Sequence, residues 1–154
     1  MKKNIFIFLA VIVASACASR EKPGREEQQV AEEKPVKQVS VSDLLGKEWS
    51  LQELNGAPIV LDPNFPKKPV LVFEKDDNLS GNLGCNGFGG VYKIKEDGTI
   101  AISNILSTQM ACANLEVEKA FTEVLQGAKT FEVENGLLTL KDDNQKVTAK
   151  LTAQ

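Results

Sequence analysis

The stretch GNLGCNGFGGVY, residues 81–92, decides how the rest of the chain is read. It places glycine at 81, 84, 87, 89 and 90 and a cysteine at 85. Three readings compete for it: a phosphate-cradling loop, a metal or redox site, and a strand that has to bend. Phosphate binding needs backbone N–H groups opening onto a helix N-terminus, with Lys and Ser or Thr at fixed positions. No Gly-Lys-Ser/Thr follows here, and the stretch runs into the alternating pattern of a strand. Zinc sites need Cys and His clusters at set spacings, and the chain has no histidine. That absence also removes the commonest general base, so neither a Ser–His nor a Cys–His pair can form. Glycine in a strand marks bulges, sharp coiling and close backbone approach. The stretch therefore predicts a bend in a sheet, with Cys85 inside it.

Outward from that bend the chain reads mostly as strands. KEWSLQEL (47–54) alternates, with Trp49, Leu51 and Glu53 on one face. PVLVFE (69–74) puts Leu71 and Phe73 on one side and Val70 and Val72 on the other, and NLSGNL (78–83) follows a turn at Lys75, Asp76 and Asp77. GVYKIKEDGTIAIS (90–103) predicts a hairpin around Glu96, Asp97 and Gly98. Residues 129–153 predict three strands with two tight turns, Asn135 and Gly136 giving the strongest hairpin signal. One helix stands among them, in residues 114–128. Val117, Ala120, Phe121, Val124, Leu125 and Ala128 form a single apolar stripe, with Asn114 as N-cap and Gly127 at the end. The predicted fold is α+β: a strongly curved antiparallel sheet, an incomplete barrel, packed on one helix.

The N-terminus reads differently. Lys2 and Lys3 precede ten apolar residues (5–14), about half the ~20 that a spanning helix needs. This fits the h-region of an export signal. Cleavage has two readings. Ala14, Ser15 and Ala16 make an A-x-A site for release of a soluble protein. With Cys17 they also resemble a bacterial lipobox, although leucine is more common where Ala14 stands. Of the three cysteines, lipid on Cys17 leaves Cys85 and Cys112 as an even pair in an oxidising compartment. Residues 18–42 have no aromatic residue and mixed charge, the composition of a disordered tether. The expected organisation is a lipoprotein signal peptide over 1–16, a lipidated N-terminus and tether over 17–42, and one domain over 43–154.

The chain has 18 basic and 21 acidic residues. Loss of Lys2 and Lys3 takes the net charge from −3 to −5, which gives no footprint for nucleic acid. Cys85 and Cys112 either form a bridge or stay as two buried thiols. A bridge closing such a loop contributes roughly 3.5 kcal/mol in the chain-entropy model. No catalytic, cofactor or metal residues are assigned. The acidic residues are expected on turns, on the helix flank or in the tether.

Gly84, Cys85, Asn86, Gly90 and Tyr92 resemble the GCN-x-x-x-G-x-Y signature of the META domain family, the HslJ-like heat-shock lipoproteins. Thr108, Met110 and Cys112 resemble its second signature, T-x-M-A-C. Glu118, Phe121 and Leu125 fit the family's helix, and Trp49 and Leu51 its opening strand. Gly87 and Gly89 depart from the pattern, since family members often carry larger or polar residues there. The resemblance implies a curved sheet on one helix, a lipid-anchored place in the envelope and links to heat or antibiotic stress. It implies no enzymatic activity, and it is similar in fold to secretion pilot lipoproteins. The expectation is a monomeric, non-catalytic envelope protein at the outer membrane, binding another envelope component. The alternative is a carrier of an apolar ligand or peptide, with residues 58–69 rimming the barrel mouth.

Overall fold

The structure is a computed structural model that describes residues 41–154. The expected signal peptide, Cys17 and most of the tether lie outside the described residues. A single 3-10 turn, Val41–Asp43, leads into a fully buried Leu44. Nine strands follow: β1 (Glu48–Leu54), β2 (Ala57–Pro58), β3 (Val70–Phe73), β4 (Asn78–Asn82), β5 (Gly87–Ile94), β6 (Ile100–Ser107), β7 (Thr130–Glu134), β8 (Leu137–Lys141) and β9 (Val147–Ala153). The helix α1 (Leu115–Gly127) stands between β6 and β7.

All strands join one antiparallel sheet in the order β6, β5, β4, β3, β1, β9, β8, β7, with the short β2 paired to β1. The sheet curls until its two edge strands meet at one end. There Ile100 N–H donates to the Lys129 carbonyl at 2.8 Å, and Thr99 bridges to Thr130. Helix α1 packs against β6, β1 and β9. Phe121, Val124, Leu125 and Ala128 meet the inner face of the sheet, where Trp49, Leu71, Phe73, Ile100, Leu138 and Leu151 are buried. This is the curled half-barrel on one helix that the strand pattern predicts.

Three local expectations are corrected. Glu53 does not share the inner face with Trp49 and Leu51. The ladder to β9 shifts register between Leu51 and Glu53. That bulge turns Glu53 outward to an ion pair with Lys150 at 2.7 Å, and Leu54 packs on the core instead. Residues 81–92 are not one kinked strand. They are the end of β4, a turn at 83–86 and the start of β5, closed by Leu83 N–H to the Asn86 carbonyl at 2.8 Å. The strand read from residue 90 therefore starts at Gly87. Asn114 stands at the N-cap position, but its side chain caps nothing. It is drawn away by residues 62–65, to which it makes two hydrogen bonds described below.

Candidate functional site

Both signatures converge on the turn between β4 and β5. Asn82 shapes that turn, its Oδ1 accepting from Gly84 N–H at 2.8 Å and its Nδ2 donating to the Cys85 carbonyl at 3.2 Å. Gly84 sits at φ +121, a conformation that other residues rarely adopt. This geometry turns the N–H groups of Cys85 and Asn86 towards α1. Both donate to Glu118 Oε1, at 2.8 and 3.1 Å.

Asn86 is 3 % exposed and uses every polar position it has. Its Nδ2 donates to Glu118 Oε2 at 2.8 Å and to the Met110 carbonyl at 3.2 Å. Its Oδ1 accepts from Thr108 Oγ1 at 2.9 Å and from Met110 N–H at 2.8 Å. The segment after β6 is thereby pinned to the hairpin turn. A disulfide between Cys85 and Cys112, with Cα atoms 6.3 Å apart, pins it a second time. The thiol alternative is thus replaced by a bridge.

Gly84, Cys85, Asn86, Thr108, Met110 and Cys112 are brought together, whereas Gly90 and Tyr92 are not. Gly90 lies at the register shift between β5 and β6, where an added Cβ would come within 3.1 Å of the Ser103 carbonyl. Tyr92 is buried edge-on against Phe73, ring centroids 5.1 Å apart, and its hydroxyl donates to the Glu74 carbonyl at 2.8 Å. Burial first, then the charges of Asp77 and Asp76, push its phenol above the ordinary range.

Glu118 lies on the helix flank, at the first turn of α1, as the sequence predicts, but it is buried. It is 5 % exposed, and among the described residues it is the only buried carboxylate. The apolar stripe gave no sign of this, because Glu118 lies beside that stripe at the first turn, where dipole-facing acids are common. Asn114 also does more than its N-cap position implies. Its Oδ1 accepts from Asp62 N–H and its Nδ2 donates to the Phe65 carbonyl, both at 2.8 Å, which fastens the 58–69 connection to the helix start.

Cys85, Cys112 and Glu118 have donor atoms within 4.8 Å of one another, the spacing of a metal site. The two sulfurs are bonded to each other, so they offer no thiolate. Glu118 Oε1 already accepts two hydrogen bonds and Oε2 one. The arrangement binds the protein's own main chain.

Two depressions flank this node. One, about 600 Å³, lies between residues 107–111 and α1, with Met110 (54 % exposed) and Leu115 (45 % exposed) at its surface. The other, about 860 Å³, lies over β3, β4, β5 and the end of β6.

The META domain model matches residues 42–154. No curated protein matches the chain. Among solved structures, the chain is similar to the NMR structure of a protein 26 % identical to it, covering 74 % of this chain and 94 % of that one with a TM-score of 0.58. An NMR structure of a protein from Burkholderia xenovorans is 19 % identical, covering 86 % and 99 %, with a TM-score of 0.62. A crystal structure of a DUF4847 family protein from Bacteroides vulgatus is 15 % identical, covering 71 % and 93 %, with a TM-score of 0.55. These two share the fold.

Proposed function

The chain belongs to the META domain family, and on that footing we propose that it is a non-catalytic envelope protein, anchored by lipid at Cys17, whose domain binds or protects another envelope component under heat or antibiotic stress. One observation carries the non-catalytic part. The residues of both signatures that meet at the hairpin turn are spent on one another and on Glu118 through hydrogen bonds and a disulfide. A catalytic carboxylate needs a free lone pair facing substrate. Glu118 instead faces two peptide N–H groups and an amide. The lipobox-like sequence ending at Cys17 supports anchoring, and the bridge supports an oxidising compartment. The outer membrane is favoured by the residues after Cys17, Ala18 and Ser19, with no Asp directly following.

A second reading, carriage of an apolar ligand or peptide, draws on the depression over β3 to β6, which is open to solvent and partly apolar. Of residues 58–69, Lys67 lines that depression, while Asn114 holds Asp62 and Phe65 at the helix start.

The test is fractionation of cells carrying wild type or Cys17→Ala, with the intact mass of the mature chain and in-cell cross-linking. Wild type is expected in the outer-membrane fraction with an acylated N-terminus and a cross-linked envelope protein, and Cys17→Ala in the soluble fraction. An unmodified N-terminus on a soluble wild-type chain would overturn the anchoring. A turnover abolished by Glu118→Gln in folded protein would overturn the non-catalytic reading.

A further inference from the structure

Two glycines in β5 have no reason within the fold. Gly87 and Gly89 are not among the glycines at positive φ. A Cβ at Gly87 would meet nothing nearer than the Gly81 carbonyl at 3.9 Å, and one at Gly89 nothing nearer than the Leu79 carbonyl at 3.7 Å. Those are ordinary contacts, so side chains would fit. Glycine in a strand interior costs stability and leaves nothing to pack. What the pair does provide is open space.

The ladder places that space. Val70, Asn82 and Gly87 are paired across β3, β4 and β5. Val72, Ser80, Gly89 and Leu106 are paired across β3 to β6. Paired residues share a face, and this one is opposite the core-facing Leu71, Phe73 and Leu79. The depression of about 860 Å³ lies over these two rungs. Val70 and Val72 form one wall. Leu106, 79 % exposed, forms the other. Its charged lining is one acid, Glu48, and one base, Lys67, so its formal charge balances.

We propose that this groove is the domain's recognition surface, and that its occupant is an extended, uncharged peptide segment of another envelope protein, with a side chain of valine or leucine size over Gly87 and Gly89. This rests on the binding reading above and names the surface and partner chemistry for it. Three features select that occupant. Glu48 and Lys67 offset each other in the lining, so the groove has no net charge to select a charged side chain, and one seated over the two valines and Leu106 would shed water against apolar surface. The polar side chains of the groove, Ser80, Asn82 and Thr108, already bond to Glu74, to Gly84 and Cys85, and to Asn86, so the occupant's main chain is met by the main chain of the sheet edge and its side chain by the apolar walls. β6 is also the terminal strand of the sheet, and over residues 105–107 it has a strand neighbour on the β5 side alone. An added strand can pair there. The bulge at Asn104, φ 53, keeps that pairing short, so the side chain in the groove supplies most of the selectivity.

The experiment selects a phage-displayed library of random peptides on the full chain and measures a synthesised winner against wild type, Gly87→Val and Gly89→Val. Enriched peptides are expected to alternate apolar with uncharged polar residues. Either valine should weaken binding by about tenfold or more while leaving the melting temperature nearly unchanged, because its Cβ has room. Absence of enrichment, or equal binding by both variants, overturns the proposal. So does binding of a fluorescent fatty acid that Gly89→Val abolishes without any peptide binding, and so does a wild-type dimer that Gly89→Val dissociates. In cells, an envelope cross-link kept by both variants removes the groove and leaves the binding reading standing. Peptide binding by a wild-type chain that forms no cross-link removes the binding reading instead.

Discussion

Glu118 grips Asn86 at two points: its Oε1 accepts from the Asn86 main-chain N–H at 3.1 Å and its Oε2 from the Asn86 side-chain amide at 2.8 Å. Because Asn86 in turn holds Thr108 and Met110, one carboxylate on α1 organises both the β4 to β5 turn and the segment leading into the helix. Asn86→Ala strips partners from four groups at once. Buried groups left unpaired cost about 1–3 kcal/mol each before relaxation and water entry. A net loss of about 3 kcal/mol is expected in urea unfolding, with Glu118→Gln close behind, since its NH₂ would face donors. A loss under about 1 kcal/mol for Asn86→Ala would show that water replaces the network readily.

The bridge between Cys85 and Cys112 duplicates part of that job. Cys85→Ala with Cys112→Ala should lower stability by roughly 2–5 kcal/mol and keep the far-ultraviolet circular dichroism spectrum, because Asn86 and Glu118 still tie the same segments. Thiol labelling of the denatured, unreduced chain checks the bond itself. Labels on both Cys85 and Cys112 in peptide mapping would contradict it.

Alkaline pH should destabilise the domain through Tyr92. Its folded pKa is raised above the ordinary 10.0 by burial and then by Asp77 and Asp76. A raised folded pKa means that the native state holds its proton longer. The stability involved is fully present below the unfolded value and is lost as pH climbs through the folded one. The chain has one tyrosine, so its ultraviolet titration reports this group alone. The midpoint should exceed that of the urea-unfolded chain. Tyr92→Phe should remove this part of the alkaline loss and cost about 1 kcal/mol at neutral pH through the bond to Glu74.

Gly81 and Gly89, on neighbouring rungs of the β4 to β5 ladder, provide a paired test of packing. A Cβ at Gly81 would stand 2.1 Å from the Val70 carbonyl and 2.7 Å from the Phe88 ring. Gly81→Ala should therefore cost about 2 kcal/mol or more through forced shifts in the core. Gly89→Ala meets open space and should fall within about 1 kcal/mol of wild type. Equal melting temperatures for the two variants would refute the assignment of inner and outer faces.

Much of the architecture lies in local sequence. Alternation in residues 69–74 and 90–103, the Asn135 and Gly136 turn, and the stripe from Val117 to Ala128 each report which face a segment buries, because burial has the period of the element carrying it. The even pair left by Cys17 likewise pointed to the bond between Cys85 and Cys112. Tertiary structure decided the rest. The bulge that turns Glu53 outward depends on the register with β9, a strand about a hundred residues away. Asn114 left its expected cap because residues 62–65, distant in sequence, present a better-matched donor and acceptor. Glu118 looks like any helix-flank acid until the hairpin turn folds over it. Gly87 and Gly89 stand out in the sequence only as departures from the family signature, which says nothing of what they face. Only the pairing of the strands separates the glycines the core requires from the two that leave a groove, because a missing side chain acquires its meaning from what stands opposite it.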